Sequence, residues 1–384
     1  MEKMYFDHAA TSPVHPEVIE VVYEAMKNHY GNASSIHNFG RDSRRIVDNA
    51  RIVFAESIGA KPSEIIITSG GTESDNTAII ETALKRQQDG KHIITSVVEH
   101  HAVLKPMEYL EKLGFEVTYL PVNEKGQVDP IMVEEALRPD TILVSIMYAN
   151  NEVGTVMDIA EIGTLIEASE STAYFHTDAV QAYGTEEIDV KRDHIDLLSI
   201  SSHKINGPKG IGFLYVKETI FLPSFMLGGE QEKKRRAGTE NIPAIAGLQK
   251  AVEIIQPQRE NRKERHLELR KQLIEELTQK EIEFEVNGNT AKQLDHIVSV
   301  WFKNVSAEQL LMSLDLSGIA VSSGSACTAG NIDPSHVLIA MYGENNPIVA
   351  ETIRISFGLG TTSKQISYLA EQLATISLRL KKQL

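Results

Sequence analysis

A lysine follows an apolar, strand-like run in the stretch "SISSHKINGPKGIG", residues 199 to 212. Partial burial of Lys204 at the rim of that run would lower the pKa of its amine, because burial disfavours the charged form. A neutral lysine amine is the nucleophile that forms a Schiff base with a carbonyl compound. Lys204 is therefore a candidate for covalent chemistry. Lys209, inside "GPKGIG", is the competing lysine and is typical of a loop residue.

An acid stands at a corresponding point in "YFHTDAVQAYG". Asp178 ends a strand-like run, and Gln181 follows three residues later. Burying a carboxylate there costs free energy unless a cationic group accepts it. A pyridinium nitrogen would serve as that group.

An anion-binding turn is indicated by "SGGTESDN", residues 69 to 76. Its two glycines let the backbone close on an anion, and Thr72 with Glu73 opens a helix whose free N–H groups would hold a phosphate. A Gly-rich turn of this kind also occurs as simple turn chemistry.

Two adjacent histidines, His100 and His101, follow the run "HIITS". Neighbouring side chains on one element point in different directions, so a shared metal site is not expected. One of them facing a cleft, as an acid–base group or an aromatic platform, is favoured over a surface histidine.

The elements that must position these residues alternate short β-branched runs with amphipathic stretches between residues 64 and 216. That pattern predicts a largely parallel sheet wrapped by helices. The predicted strands are 64–68, 92–96, 115–120, 141–147, 174–178, 196–201 and 211–216. Ligands gather at the carboxyl ends of such strands. An amine, an acid, a phosphate turn and an aromatic ring together are what pyridoxal phosphate requires.

The rest of the chain predicts two domains. Helices are expected over 17–29 and 41–58, and past residue 255 the pattern changes to that of a smaller α+β unit. We place a large α/β domain at residues 13–255, and a smaller domain at residues 256–384 together with residues 1–12.

Composition limits the partners. The net charge of −15 argues against nucleic acid or an anionic membrane, which both select for clustered Lys and Arg. The N-terminal residues lack the apolar core of a signal peptide, so we expect a cytoplasmic protein. Cys327 is the single cysteine in 384 residues, which excludes an internal disulfide and fits a reducing compartment.

The chain resembles cysteine desulfurases of the NifS/IscS type, within the fold-type I enzymes that use pyridoxal phosphate. The resemblance runs essentially end to end. It is carried by the segments "YFDHAATSPVHP", "GNASSIHNFG", "SGGTESDN", "EHHAV", "NNEVG", "HTDAVQ", "SSHKINGPKG", "RAGTENIP", "SSGSACT" and "IRISFG". It implies a large domain with a mostly parallel seven-stranded sheet and a smaller α+β domain at the C-terminal end.

The resemblance also implies the role of each site residue. Lys204 would bind the cofactor and move protons, Asp178 would pair with the pyridine nitrogen, and His100 would stack on the ring and assist proton transfers. Gln181 would hydrogen-bond the ring hydroxyl, and Asn151 with Arg354 would hold the substrate carboxylate. The expected phosphate ligands are Gly71, Thr72, Ser201, His203 and, from the second subunit of an obligate homodimer, Thr239.

Cys327 would, by the same resemblance, take sulfur from L-cysteine as a persulfide and release L-alanine. With no second cysteine, the sulfur must leave to an external acceptor protein, such as an iron–sulfur scaffold or a tRNA-thiolating enzyme. No firm metal site is expected, although Cys327 could share an iron–sulfur cluster with a partner. The alternatives are a selenocysteine lyase, an ordinary aminotransferase, and a non-enzymatic scaffold for sulfur-transfer proteins.

Overall fold

The computed structural model describes residues 3–280, 282–324 and 334–382, with the backbone strands at 327–328 and 331–332. The strands are β1 (Met4–Tyr5), β2 (Ile65–Thr68), β3 (His92–Ser96), β4 (Glu116–Leu120), β5 (Thr141–Ser145), β6 (Tyr174–Asp178), β7 (Leu197–Ser201), β8 (Gly212–Val216), β9 (Phe284–Val286), β10 (Ile297–Phe302), β11 (Ile319–Ala320), β12 (Cys327–Thr328), β13 (Asn331–Ile332) and β14 (Thr352–Ser356).

The helices lie between and after these strands. They are α1 (Pro16–Asn28), α2 (Asn38–Glu56), α3 (Gly71–Asn76), α4 (Thr82–Arg86), α5 (His101–Lys112), α6 (Pro130–Ala136), α7 (Ile159–Ala168), α8 (Gln231–Lys234), α9 (Ile242–Ile255), α10 (Arg259–Gln279), α11 (Ala307–Leu316), α12 (His336–Tyr342), α13 (Ile348–Glu351) and α14 (Ser363–Lys381). A π-helical turn at Thr77–Glu81 makes α3 and α4 one continuous helical segment.

A seven-stranded sheet has the order β2-β8-β7-β6-β5-β3-β4. Strands β7, β6, β5, β3 and β4 pair in parallel, and β8 runs antiparallel to both of its neighbours. Both faces are buried, because alternate side chains of one strand enter opposite cores: Ile65 and Ile67 pack in one, and Ile66 in the other. The polar residues that end β2, β6 and β7 therefore meet at one edge.

A smaller antiparallel sheet, β14-β10-β9, has its own core with α10, α11 and α14. The N-terminal segment joins this unit, because β1 pairs with β11 and Phe6 packs in the same core. These contacts support our division into two domains, whose boundary at residue 255 remains a prediction.

The predicted α/β fold with a mostly parallel seven-stranded sheet is confirmed. The strand expected over 141–147 ends two residues early, at Ser145. The N–H groups of Ile146 and Tyr148 still donate to β6, but the N–H of Met147 donates to the buried Glu99 carboxyl group at 3.0 Å and not to β3. Across the part of the chain that the structure describes, no helix combines the length and the apolarity needed to cross a membrane.

A buried ion pair joins α2 to α8. Arg51 and Glu232 lie 2.6 Å apart with side chains 6% and 4% exposed, and the N–H of Ile67 also donates to Glu232. Glu232→Gln leaves the guanidinium buried without a counter-ion, so we expect it to lower the free energy of unfolding by about 3–5 kcal/mol.

The matched control is Asp48→Asn, which breaks the exposed pair of Asp48 with Arg44 on the same helix α2. We expect a cost below about 1 kcal/mol there. Chemical denaturation of both variants measures the difference, and equal costs would contradict the structural role of the buried pair.

Candidate active site

A cavity of about 720 Å³ opens where the carboxyl edge of the large sheet meets the smaller sheet. Ten of the predicted site residues line it together: Gly71, Thr72, His100, Asn151, Asp178, Gln181, Ser201, His203, Lys204 and Arg354. Thr239 does not line the cavity and is exposed. The side chain of Cys327 lies outside the described residues.

Lys204 sits in a short 3-10 turn directly after β7. Its Nζ donates to the carbonyl oxygens of Ala9 at 2.6 Å and Ala10 at 2.9 Å. Burial, and then the nearby Arg354 guanidinium, lower the pKa of Lys204 to about 8, while Asp178 acts in the opposite direction. A substantial fraction of this amine is therefore neutral near pH 8. Lys209 also borders the cavity but is exposed.

Asp178 ends β6 and is 7% exposed. Burial raises the pKa of Asp178. This rise is opposed by His100, by the N–H of Val180, which donates to Oδ1 at 2.9 Å, and by Lys204. Asp75, on α3, is 1% exposed, and burial and then the Asp178 charge raise its pKa well above the ordinary value. We therefore assign the proton of this acid pair to Asp75 and the negative charge to Asp178.

A neutral histidine lies under this pair. His176 is fully buried in β6, where its Nδ1 contacts the Ser145 hydroxyl at 2.8 Å and its Nε2 contacts the Ser199 hydroxyl at 3.0 Å. Burial lowers its pKa to about 3. His176 and Asp75 therefore support Asp178 without adding charge to the cavity floor.

His100 caps the N-terminus of α5, where its Nδ1 accepts from the N–H of Ala102 at 3.1 Å. The pKa of His100 is lowered, chiefly by desolvation. Ligand atoms of His100, Asp75 and Asp178 lie within 4.8 Å of one another. Two carboxyl groups and an imidazole could hold a cation. The same negative charge would stabilise the protonated nitrogen of an aromatic ring.

The turn at Gly70 and Gly71 begins α3 without a side-chain cap, so its first N–H groups are free to bind an anion. Gly70 has φ of 144°, which favours glycine, and a Cβ on Gly71 would meet Val180 at 2.8 Å. The Ser201 hydroxyl lies 3.5 Å from where a Cβ of Gly70 would stand. His203 joins this edge with its pKa lowered to about 4 by burial and then by Lys204, so its ring is neutral.

Arg354 enters from β14 of the smaller sheet and is 4% exposed. Its Nη1 donates to the backbone oxygen of Asn151 at 2.8 Å, and its Nη2 lies 2.9 Å from the Asp7 carboxylate. The Nε is buried without a partner among the described residues. The guanidinium is thus fixed at the cavity wall, with Asp7 as a counter-ion that a substrate carboxylate would have to share.

The Nε2 of Gln181 donates to the carbonyl oxygen of Ala9 at 2.9 Å. This oxygen therefore accepts hydrogen bonds from both Gln181 and Lys204. Sequence reasoning missed this function of the N-terminal segment, although "YFDHAATSPVHP" was among the resembling segments. The roles of Asp7 and Ala9 depend on contacts with residues about 170 to 350 positions away, which no local pattern encodes.

Two residues that line the cavity, Glu152 and His336, and Glu99, whose carbonyl oxygen contacts His336, carry no local signal for their roles. Glu99 is fully buried, and its Oε1 accepts from the Ser96 hydroxyl at 2.6 Å. The Glu152 carboxylate accepts a hydrogen bond from the Ser335 hydroxyl at 2.5 Å. The centres of the His336 and His101 rings lie 4.9 Å apart. Ser335 and His336 begin α12, so this wall joins the two domains.

Asp7 should tune the Lys204 amine. The Asp7 carboxylate raises the pKa of Lys204 and Arg354 lowers it. Asp7→Asn is therefore expected to move that pKa below about 8. A pH titration of the Lys204 side-chain NMR signal in cofactor-free protein, assigned with Lys204→Met, measures it. Asp48→Asn, on an exposed face of α2, is the control, and an unchanged or higher pKa in Asp7→Asn would exclude this coupling.

Glu99 should make stability pH-dependent. Burial raises its pKa from 4.5 to about 8, so the folded protein keeps a proton that the unfolded chain loses. Its contribution is complete below pH 4.5 and is lost as the pH rises to about 8. We expect Glu99→Gln to remove this decrease in the free energy of unfolding with rising pH. The free energy of unfolding, followed against pH beside wild type and the exposed control Glu135→Gln, tests it; parallel curves for wild type and Glu99→Gln would refute the assignment.

Comparisons with known proteins show the family of this chain. The family model described as aminotransferase class-V matches residues 4–369. A protein named putative cysteine desulfurase IscS 1, from Bacillus subtilis, is 53% identical over 380 residues, covering 99% of this chain and 100% of that protein.

Solved structures show the same similarity. A NifS-like protein superposes with a TM-score of 0.92 at 32% identity, covering 99% of this chain and 100% of that one. A structure described as SspA in complex with cysteine has a TM-score of 0.81 at 36% identity, covering 93% and 99%. The chain belongs to the class-V aminotransferase family and, within it, to the cysteine desulfurases of the NifS/IscS type.

Proposed function

We propose that this protein is a cytoplasmic cysteine desulfurase that binds pyridoxal phosphate, takes sulfur from L-cysteine onto Cys327 and passes it to acceptor proteins. The observation that carries the proposal is the pairing, in one cavity, of a partly neutral lysine amine with a buried acid. Lys204 has its pKa lowered to about 8, and Asp178 lies at the end of a neighbouring strand.

The cavity residues fit the cofactor. Asp178 is a buried acid whose carboxylate accepts from a single N–H among the described residues. It can accept a further hydrogen bond from a protonated ring nitrogen. The uncapped turn at Gly71 and Thr72, with Ser201 and His203 beside it, offers N–H and hydroxyl donors to a phosphate. When bound, pyridoxal phosphate supplies an electron-poor ring that accepts the electron pair released at Cα of an amino acid.

The protein side chains then bind, orient and move protons. Lys204, already close to its pKa at neutral pH, can hold or release the Cα proton. His100 is held at the start of α5 through its Nδ1, which leaves Nε2 free to carry a proton. Arg354 and Asn151 would orient the substrate carboxylate, since a planar guanidinium binds it in a fork.

Cys327 completes the reaction. Its thiolate would form a bond to the substrate sulfur as the bond from that sulfur to the substrate Cβ breaks, so L-cysteine and the thiol yield L-alanine and a persulfide. A similar structure is described as a complex with cysteine, which supports L-cysteine as the substrate. The described residues on both sides of the cysteine segment, Gly324 and His336, line the cavity, and this supports access of Cys327 to it.

A homodimer follows from the proposal for Thr239. This residue is exposed and outside the cavity of its own chain, as expected if it reaches the phosphate of a second subunit. Large apolar side chains on either side of Met226, whose carbonyl oxygen accepts from the N–H of Ala237, are also exposed, Leu227 to 89% and Phe225 to 39%. The acceptor would be an iron–sulfur scaffold or a tRNA-thiolating enzyme.

The test is the yield of sulfide and alanine from L-cysteine with a reductant present, for wild type and Cys327→Ala. We expect equal amounts of both products from wild type and a loss of sulfide by about 100-fold or more in the variant. Lys204→Ala should lose both products, with Lys209→Ala as the matched control.

Other outcomes point elsewhere. Alanine at equal rates from wild type and Cys327→Ala would favour a lyase that needs no thiol. A requirement for a keto acid would favour an aminotransferase, and a protein that binds no cofactor would favour the scaffold function.

A further inference from the structure

A second, small cavity shares Lys204 and Gln181 with the main one. Its volume is about 20 Å³, which suffices for one water molecule or one monatomic ion. Basic side chains from three segments of the chain supply much of its wall: His8, Arg262, His266 and His296.

Arg262 brings a positive charge without a counter-ion. Its Nη1 donates to the Asn206 side-chain oxygen at 3.2 Å, while its Nε is buried without a partner. Within the described ranges no carboxylate forms an ion pair with Arg262. Eight residues further along α10, Arg270 has Asp295 as a nearby acid, and Arg262 has no equivalent. The Arg262 side chain is half-buried, and its buried Nε–H without an acceptor carries a cost in free energy.

Three imidazoles extend this arrangement. His8 and His266 are each 6% exposed, and the His266 and His296 rings lie 5.4 Å apart. The Nδ1 atoms of all three rings are buried with no partner in the described part of the chain. Because buried ring nitrogens normally have partners, these atoms indicate a missing acceptor or donor inside the cavity.

The charges around the cavity determine the sign of the charge that the missing group carries. Burial, above all, lowers the pKa of His8 to about 4 and that of His266 to about 3. The pKa of His296 is lowered as well, by burial first. The charges that further lower the pKa values of the three rings come from Arg262, Arg265, Lys204 and the other histidines, and no carboxylate is among the opposing groups. At neutral pH the rings are uncharged and the guanidinium is not, so the potential in the cavity is positive.

We propose that this cavity binds a monatomic anion of the halide class, chloride in the cell, between Arg262, His266 and His296. The Nε–H of Arg262 and an N–H of each neutral imidazole can donate to it. Sulfate, phosphate and carboxylates are too large for the space. A water molecule would fit the volume but would leave the guanidinium charge uncompensated, and it is the competing occupant.

The anion would also act on the main site. Lys204 lies in the wall of both cavities, and its charge is felt at His296. A negative charge in the small cavity therefore favours the protonated form of the Lys204 amine.

The direct test is crystallographic. Crystals of the purified protein, grown without halide and soaked in sodium bromide, should show an anomalous bromide peak between Arg262, His266 and His296. An ordered water there with no anomalous signal would overturn the proposal.

A solution experiment uses matched variants of α10. Arg262→Gln removes the charge and keeps an amide, and Arg265→Gln removes an exposed charge one residue before His266. At equal ionic strength, sodium bromide in place of gluconate should raise the melting temperature of wild type and Arg265→Gln by roughly 2 °C or more, and not that of Arg262→Gln. The same rise in Arg262→Gln, or no rise in wild type, would contradict the site. If Arg262→Gln does not fold, the wild-type crystal decides.

Discussion

The donation from the Lys204 amine to the carbonyl oxygens of Ala9 and Ala10 is the contact on which the cavity depends. The same short segment is fixed at both ends, because the N–H of Ala9 donates to the Ser356 hydroxyl and the N–H of Ser12 to the carbonyl of His203. The segment therefore joins the edge of the large sheet to β14 of the smaller one. The reactive amine is positioned only when both sheets are in place.

The charges of the cavity are arranged so that few of them compete. Asp7 offsets Arg354, and the proton on Asp75 leaves Asp178 as the negative charge of the acid pair. Burial keeps His203 neutral beside the anion-binding turn. The site thus offers one acid to a cationic ring nitrogen, one guanidinium to a carboxylate and one weakly basic amine, which are the charges that amino-acid chemistry on pyridoxal phosphate requires.

Much of the fold and of the site could be predicted because the signals are local. The β-branched runs mark the strands, and Asp178 and Lys204 stand where two of them end. His100 follows a strand in the same way and opens α5. Parallel strands bring such residues to one edge, so spacing along the chain was sufficient to group them.

The remaining residues act through contacts that the sequence does not encode locally. Asp75 resembles any polar residue of a helix until burial beside Asp178 raises its pKa. On α10, Arg262 and His266 stand among many charged residues, and only packing against the smaller sheet shows that this face is buried. Domain packing and burial, rather than residue type, determine what these groups do.

The most direct measurement is the attachment point of the cofactor. The protein is loaded with pyridoxal phosphate, reduced with borohydride, digested and mapped by mass spectrometry. Two lysines border the cavity: Lys204, whose pKa is lowered to about 8, and the exposed Lys209. A label on the peptide that contains Lys204, absent in Lys204→Ala, is the predicted result. A label on Lys209, or equal labelling of exposed lysines, would contradict the central assignment.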